Sequence, residues 1–226
     1  PISEELQLLA HIIQNLLLLD QADSGKTIVL RENVRLDEVV LGVVERLQPI
    51  AKGAQVQVRV NVNMDDSDLK NQKSKIKNQK VEEPFSVRGD ADLLGSLFFN
   101  LIHNAIKYSA AGQIVEVRLD GGTDGPRVAI HDFGSGIRAE ELPRLFERFH
   151  RAENPTRSRQ GGILGTGLGL TIARWIAEAH GAQISVESKP AEGSIFTVNF
   201  SSKSRTPDIG SFKNVRFFRQ EPCLTA

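Results

Sequence analysis

Cysteine is nearly absent from this chain: Cys223 is the only one among 226 residues. An internal disulfide is therefore excluded, and the composition fits a reducing compartment. Neither CxxC nor HExxH occurs, which removes the metal sites built on those spacings. Long apolar runs are missing too. The longest, Leu16 to Leu19, is far too short to cross a bilayer, and no signal peptide is visible. Charge of one sign is lacking, since 28 Lys and Arg balance 28 Asp and Glu. That balance argues against wholesale binding of nucleic acid. Methionine occurs once, at Met64, and the chain begins at Pro1, so it reads as a fragment or a processed product.

What is present suits one domain with attachments. A hydrophobic content of 40% and a charged content of 25% are ordinary for a globular protein. Residues 1–22 read as a helix. Leu6, Leu9, Ile13 and Leu16 step as a heptad seam, and Leu8, Ile12 and Leu19 add a second stripe. Such a helix needs a partner, either a preceding helix or a second copy of itself. Gly25 is a natural cap after it. Leu36 to Lys52 is a second amphipathic helix. Val56, Val58, Val60 and Val62 alternate as a strand with one buried face. Residues 65–83 carry Lys-Asn-Gln-Lys twice without apolar period and read as a disordered insertion. Phe85 to Val87, Ile114 to Leu119 and Arg127 to His131 read as strands, with a Gly-rich turn at 121–125. Glu140 to Phe149 is partly helical, and 151–165 is a loop. Leu168 to His180 is a helix capped by Gly181. Ile184 to Ser188 and Ser194 to Phe200 form a last hairpin, and 202–226 is a loose tail.

Chemistry begins at Asn100, Asn104 and Lys107. They recur at i, i+4 and i+7, so they stack along one face of a helix opened by Asp90 as N-cap. Leu94, Leu97, Leu101 and Ala105 fall on a neighbouring arc that can bury. The polar face is open to two readings, a solvated surface or a site for a metal and a phosphate. Asn oxygens suit Mg²⁺, which keeps waters and substrate phosphates in its shell, and Lys suits phosphate. Asp132-Phe133-Gly134-Ser135-Gly136-Ile137 follows a strand. A carboxylate there can accept a hydrogen bond from an exocyclic amine, and glycines beside it let a flat ring approach the backbone. Gly165-Thr166-Gly167-Leu168-Gly169 opens a helix whose N-terminal N–H groups favour anions. It is not a P-loop, and it lacks the strand that precedes a dinucleotide-binding turn. Between the two lies Phe146-Glu147-Arg148-Phe149-His150-Arg151, whose phenylalanines can anchor a mobile segment and whose Arg148 and Arg151 can reach phosphate.

In this order, the Asn helix, Asp-x-Gly-x-Gly, Phe-x-x-Phe and Gly-x-Gly-x-Gly resemble the catalytic ATP-binding domain of bacterial sensor histidine kinases. That domain is a relative of gyrase and the large heat-shock chaperones. The resemblance runs from about Val34 to Phe200, with Gly193-Ser194 at the last, weaker glycine box. The N-terminal helix is similar to the second helix of the dimerisation domain of these kinases. The organisation implied is 1–25 as that partial helical hairpin, 26–201 as the catalytic domain and 202–226 as a tail. The fold implied is α+β, a two-layer sandwich of the Bergerat type with a mixed sheet and helices on one face. The cofactors implied are ATP and Mg²⁺. Asn104 would ligate the metal with Asn100 beside it. Lys107 and Arg151 would meet phosphate as the catalytic cations, with Tyr108 near the nucleotide. Asp132 would take the adenine amino group, with Gly134, Gly136 and Ile137 around the ring. Gly165, Thr166, Gly167, Leu168 and Gly169 would line the phosphates, Phe149 would contact the nucleotide, and 138–164 would form the lid. The resemblance also implies a homodimer through the N-terminal helix, a response-regulator receiver domain as partner, and a cytoplasmic place at the inner face of the membrane without membrane contact by this part.

Departures sharpen the expectation. The His, acid, base and Pro phosphoacceptor motif is absent. His11 lies among leucines, and His103, His131, His150 and His180 fall within the nucleotide-binding region. None is assigned as acceptor, and His103, next to Asn104, is expected simply to face solvent. ATP-hydrolysing clamps of the chaperone and gyrase type place a Glu where Asn100 stands, as general base for water. An Asn cannot serve so, which disfavours hydrolysis. A non-catalytic nucleotide-binding module is the remaining alternative. A serine kinase of the anti-sigma type fits poorly with the bundle helix and the Phe-rich segment.

Overall fold

The computed structural model describes residues 32–64, 84–122, 125–150 and 167–201, and positions 13, 17, 18 and 20. The elements run β1 (Glu32–Arg35), α1 (Leu36–Gly53), β2 (Gln57–Met64), β3 (Ser86–Gly89), α2 (Ala91–Tyr108), β4 (Ile114–Gly121), β5 (Arg127–Asp132), a 3₁₀ turn (Leu142–Arg144), α3 (Gly169–Ala179), β6 (Ala182–Lys189) and β7 (Gly193–Phe200). Five strands form one sheet in the order β2-β4-β5-β7-β6. Among the described strands, only the β2–β4 pair is parallel. The helix α2 lies on the long connection that a parallel pair requires. The mixed sheet with its helices is the α+β architecture that the resemblance implied.

Period-two alternation explains the core. Val115, Val117 and Leu119 on β4, Val128 and Ile130 on β5, and Phe196, Val198 and Phe200 on β7 all point to one buried layer. Against it lie Leu94, Leu97, Leu101 and Ala105 of α2, the arc expected to bury. Helix α2 packs between α1 and α3 and also touches β4 and β5. Each end of α2 has a local cause. The Asp90 side chain accepts the Leu93 N–H at 3.0 Å, and the Ser109 hydroxyl donates to Ala105 O at 2.8 Å. Gly181, at φ +66°, closes α3 in the left-handed region as expected.

Four differences from expectation are physical. Strand β1 shows too short a pattern to be seen, and it pairs with β3 in a separate two-stranded sheet. The buried face of β2 fades toward its end, where Val62 is exposed, because β2 is an edge strand. The segment expected to be partly helical holds one 3₁₀ turn. His103 does not simply face solvent but stacks on Phe99 at 5.7 Å between centroids. Positions 13, 17, 18 and 20 are helical, with Leu18 buried in the core and Ile13 and Leu17 exposed. The expected insertion at 65–83 and tail at 202–226 lie outside the described residues.

Candidate nucleotide site

The C-terminal half of α2 carries Asn100, Asn104 and Lys107 on successive turns, with Tyr108 next to Lys107. Asn100 is only 5% exposed. Its Nδ2 donates to Ser96 O at 2.9 Å within the helix. Its Oδ1 faces the start of α3, and a Cβ added to Gly169 would meet it at 2.7 Å. Gly169 is thus glycine because α3 begins against the Asn100 side chain. Asn104 and Lys107 are half-buried one and two turns on, and the Lys107 ammonium stands 5.4 Å from the centre of the exposed Tyr108 ring.

Asp132 ends β5 and is 3% exposed. The Gly134 N–H donates to its Oδ1 at 3.0 Å. Burial raises the carboxyl above its ordinary range, against the opposing pull of that N–H and of His131 and Ser194. A buried carboxylate held this way gains from one further hydrogen-bond donor. Gly134 lies so close beneath Tyr108 O that a side chain there would strike the carbonyl. Gly136, at φ +64°, lies equally close to Lys189 O at the end of β6. These glycines therefore let the strap 133–137 press onto α2 and the last hairpin, a reason distinct from room for a ring.

The third motif approaches from the other side. Gly167, at φ +72°, stands against the backbone of Phe149, where a Cβ would come within 2.8 Å, and the Phe149 N–H donates to Gly167 O at 3.1 Å. The Thr171 hydroxyl donates to Phe146 O at 3.0 Å, and Arg174 covers the Phe146 ring at 5.7 Å. Phe146 is the anchor that the pattern suggested. Phe149 is not one: it is 66% exposed at φ +60°. Leu168 sends its side chain into the core, so what it offers at the site is main chain. Glu141 joins Arg138 at 2.7 Å and His150 at 2.9 Å, which ties the described part of the expected lid together. Arg151, Gly165 and Thr166 lie outside the described residues.

Two residues escaped sequence reasoning. His180 is buried at the end of α3, its Nδ1 set against Ile176 O at 2.7 Å and its Nε2 against the Asp90 N–H at 3.1 Å. The pair fixes a neutral Nδ1–H tautomer, and burial lowers its pKa. Gly89 is glycine because a Cβ would come within 2.8 Å of that ring. A histidine at a helix end, with Gly89 before the Asp90 cap and Gly181 after itself, was the available signal. Ser188 is the second, and nothing in the strand alternation marks it.

A donor set of carboxamides fits Mg²⁺ bound chiefly through substrate phosphates. No group of three His, Cys, Asp or Glu side chains capable of holding a metal occurs among the described residues. A basic side chain, a buried acceptor and the N-terminus of an 11-residue helix complete what a purine nucleoside polyphosphate requires.

Residues 89–204 match the family described as histidine kinase-, DNA gyrase B-, and HSP90-like ATPase, and the chain belongs to that family. Its relatives there are sensor histidine kinases. It is 41% identical over 125 residues to the sensor histidine kinase YkoH of Bacillus subtilis, covering 54% of this chain and 26% of that protein. It is 31% identical over 198 residues to the heme sensor protein HssS of Staphylococcus saprophyticus, covering 88% of this chain and 37% of that protein. Among solved structures, the mycobacterial sensor histidine kinase MprB aligns with a TM-score of 0.56 at 27% identity, covering 74% of this chain and 94% of that one. The chain thus spans between a quarter and two fifths of these two curated relatives.

Proposed function

We propose that this chain is the ATP-binding catalytic core of a sensor histidine kinase, passing the γ-phosphoryl of ATP to a histidine on a dimerisation helix. The observation that carries the reading is the convergence on α2: Gly134 against Tyr108, and Gly169 against Asn100, with Gly167 against Phe149 beside them. Two motifs far apart in sequence thereby meet α2, and the Phe motif meets the second of them. Asp132 accepts the adenine amino group. Asn104, with Asn100 beside it, holds Mg²⁺, which supplies charge neutralisation on the phosphates. Lys107 and Arg151 bind and orient the phosphoryl group, and main-chain N–H groups of 165–169 cradle the remaining phosphates. Catalysis on such a site is positioning and electrostatics.

Asn100 argues against the hydrolytic alternative, because a carboxamide takes no proton from water and this one already donates to Ser96. The exposed Ile13 and Leu17 support pairing of the N-terminal helix with a second copy. A receiver domain as phosphoryl acceptor, and a cytoplasmic location beneath a membrane-bound sensor, follow from the same reading. The test labels ATP at the γ-phosphate and follows the label in a longer form bearing the preceding helix. Acid-labile, base-stable label on histidine is expected. Binding of ATP without any such label would leave a pseudokinase instead.

A further inference from the structure

Ser188, Ser194 and Asp132 form one row across three strands. Ser188 of β6 opposes Ser194 of β7, and Ser194 opposes Asp132 of β5. The row is polar where neighbouring rows of that face, such as Val186, Phe196 and Ile130, are apolar. Ser188 is also a junction. Its hydroxyl donates to Gly193 O at 2.8 Å, accepts the Ile137 N–H at 2.8 Å and meets the Ser194 hydroxyl at 3.0 Å.

A hydroxyl has one proton and two lone pairs. With the Ser188 proton on Gly193 O, the Ser188–Ser194 contact is filled by the Ser194 proton. That same proton is the one Ser194 can offer Asp132. Asp132 Oδ1 already accepts the Gly134 N–H, and the N–H and hydroxyl of Ser194 also bear on the carboxylate. Each time Ser194 turns to Ser188, the carboxylate keeps acceptor capacity for an incoming donor. Each time it turns to Asp132, that capacity is reduced.

We propose that Ser188 is a positioning residue for purine selectivity, holding the Ser194 proton away from Asp132 so that the carboxylate meets the adenine 6-amino group. The inference rests on the adenine role given to Asp132 above. Ser188 also ties the strap to the hairpin through Ile137, a structural duty that would affect every nucleotide alike.

The two duties separate in one experiment. ATP and purine riboside triphosphate, which lacks the 6-amino group, are titrated calorimetrically into wild type, Ser188→Ala and Ser188→Thr with Mg²⁺ present. Wild type is expected to prefer ATP. Ser188→Ala should cut that preference by about three- to tenfold, the range of one neutral hydrogen bond. Ser188→Thr, which keeps the hydroxyl, should restore it. Should Ser188→Ala not fold, Ser188→Cys keeps the volume with a weaker donor and should give the same split. Equal losses for both nucleotides, or an undiminished preference, would overturn the role. Equal affinity of wild type for both nucleotides would instead overturn the adenine assignment of Asp132, and this inference with it.

Discussion

Replacing Asp132 by Asn separates binding from folding. The side chain is 3% exposed and its Oδ1 is held by the Gly134 N–H at 3.0 Å. An Asn must keep its oxygen on that N–H, so its Nδ2 would face the adenine amino group, donor against donor. The variant loses one charge-assisted hydrogen bond, about 1.5–3 kcal/mol, or about 10- to 150-fold in ATP affinity. The free protein should behave oppositely. Burial raises the Asp132 pKa in the folded state, so the folded protein holds this proton more tightly than the unfolded chain. The sign follows: wild-type stability falls as pH rises from the ordinary carboxyl range through the raised folded value. The neutral Asn carries no such cost. Its urea midpoint at neutral pH should equal or exceed that of wild type while calorimetry shows weakened ATP. Unchanged ATP affinity would refute the role of Asp132, and a lowered midpoint would refute the reasoning on its burial.

Other predictions follow from the same contacts. Gly134→Ala, which drives a methyl into Tyr108 O, should cost at least about 1–3 kcal/mol in urea unfolding. Gly42→Ala in open space within α1 should stabilise by about 0.5–1 kcal/mol, and equal effects of the two would contradict the packing account. His180 has a lowered pKa and accepts the Asp90 N–H, which its protonated form cannot do. The unfolded chain takes up this proton first, so stability is full above about 6.5 and is lost as pH falls toward the folded value. Urea midpoints between pH 8 and 5 should show that loss, and His180→Gln should flatten it. Steady-state phosphate release from ATP should be slow, and robust release would favour the hydrolytic clamp.

The helices and most strands were legible because local signals agreed with the global fold. Asp90 capped α2, the Leu94-Leu97-Leu101 arc buried, and alternation placed β4, β5 and β7. What was not legible was the purpose of the glycines. Sequence reads Gly134 as room for a ring and Gly169 as part of a phosphate cradle, whereas the space each leaves is taken by Tyr108 O and Asn100 Oδ1. Close approach between segments far apart in the chain leaves no local signature. The same holds for His180, which spans from the end of α3 to the start of α2, and for Ser188, whose partners come from two different segments. Phe149 misled because Phe146 and Phe149 look alike in sequence, yet only Phe146 has Arg174 over its ring.

The central claim is that the polar face of α2 is a metal–phosphate site, and Asn104 tests it most directly. ATP is titrated calorimetrically into wild type and Asn104→Ala, with Mg²⁺ and with chelator. Wild type should bind ATP more tightly with Mg²⁺, and Asn104→Ala should bind no better with Mg²⁺ than without. A variant that binds ATP normally and keeps the full Mg²⁺ dependence would contradict it.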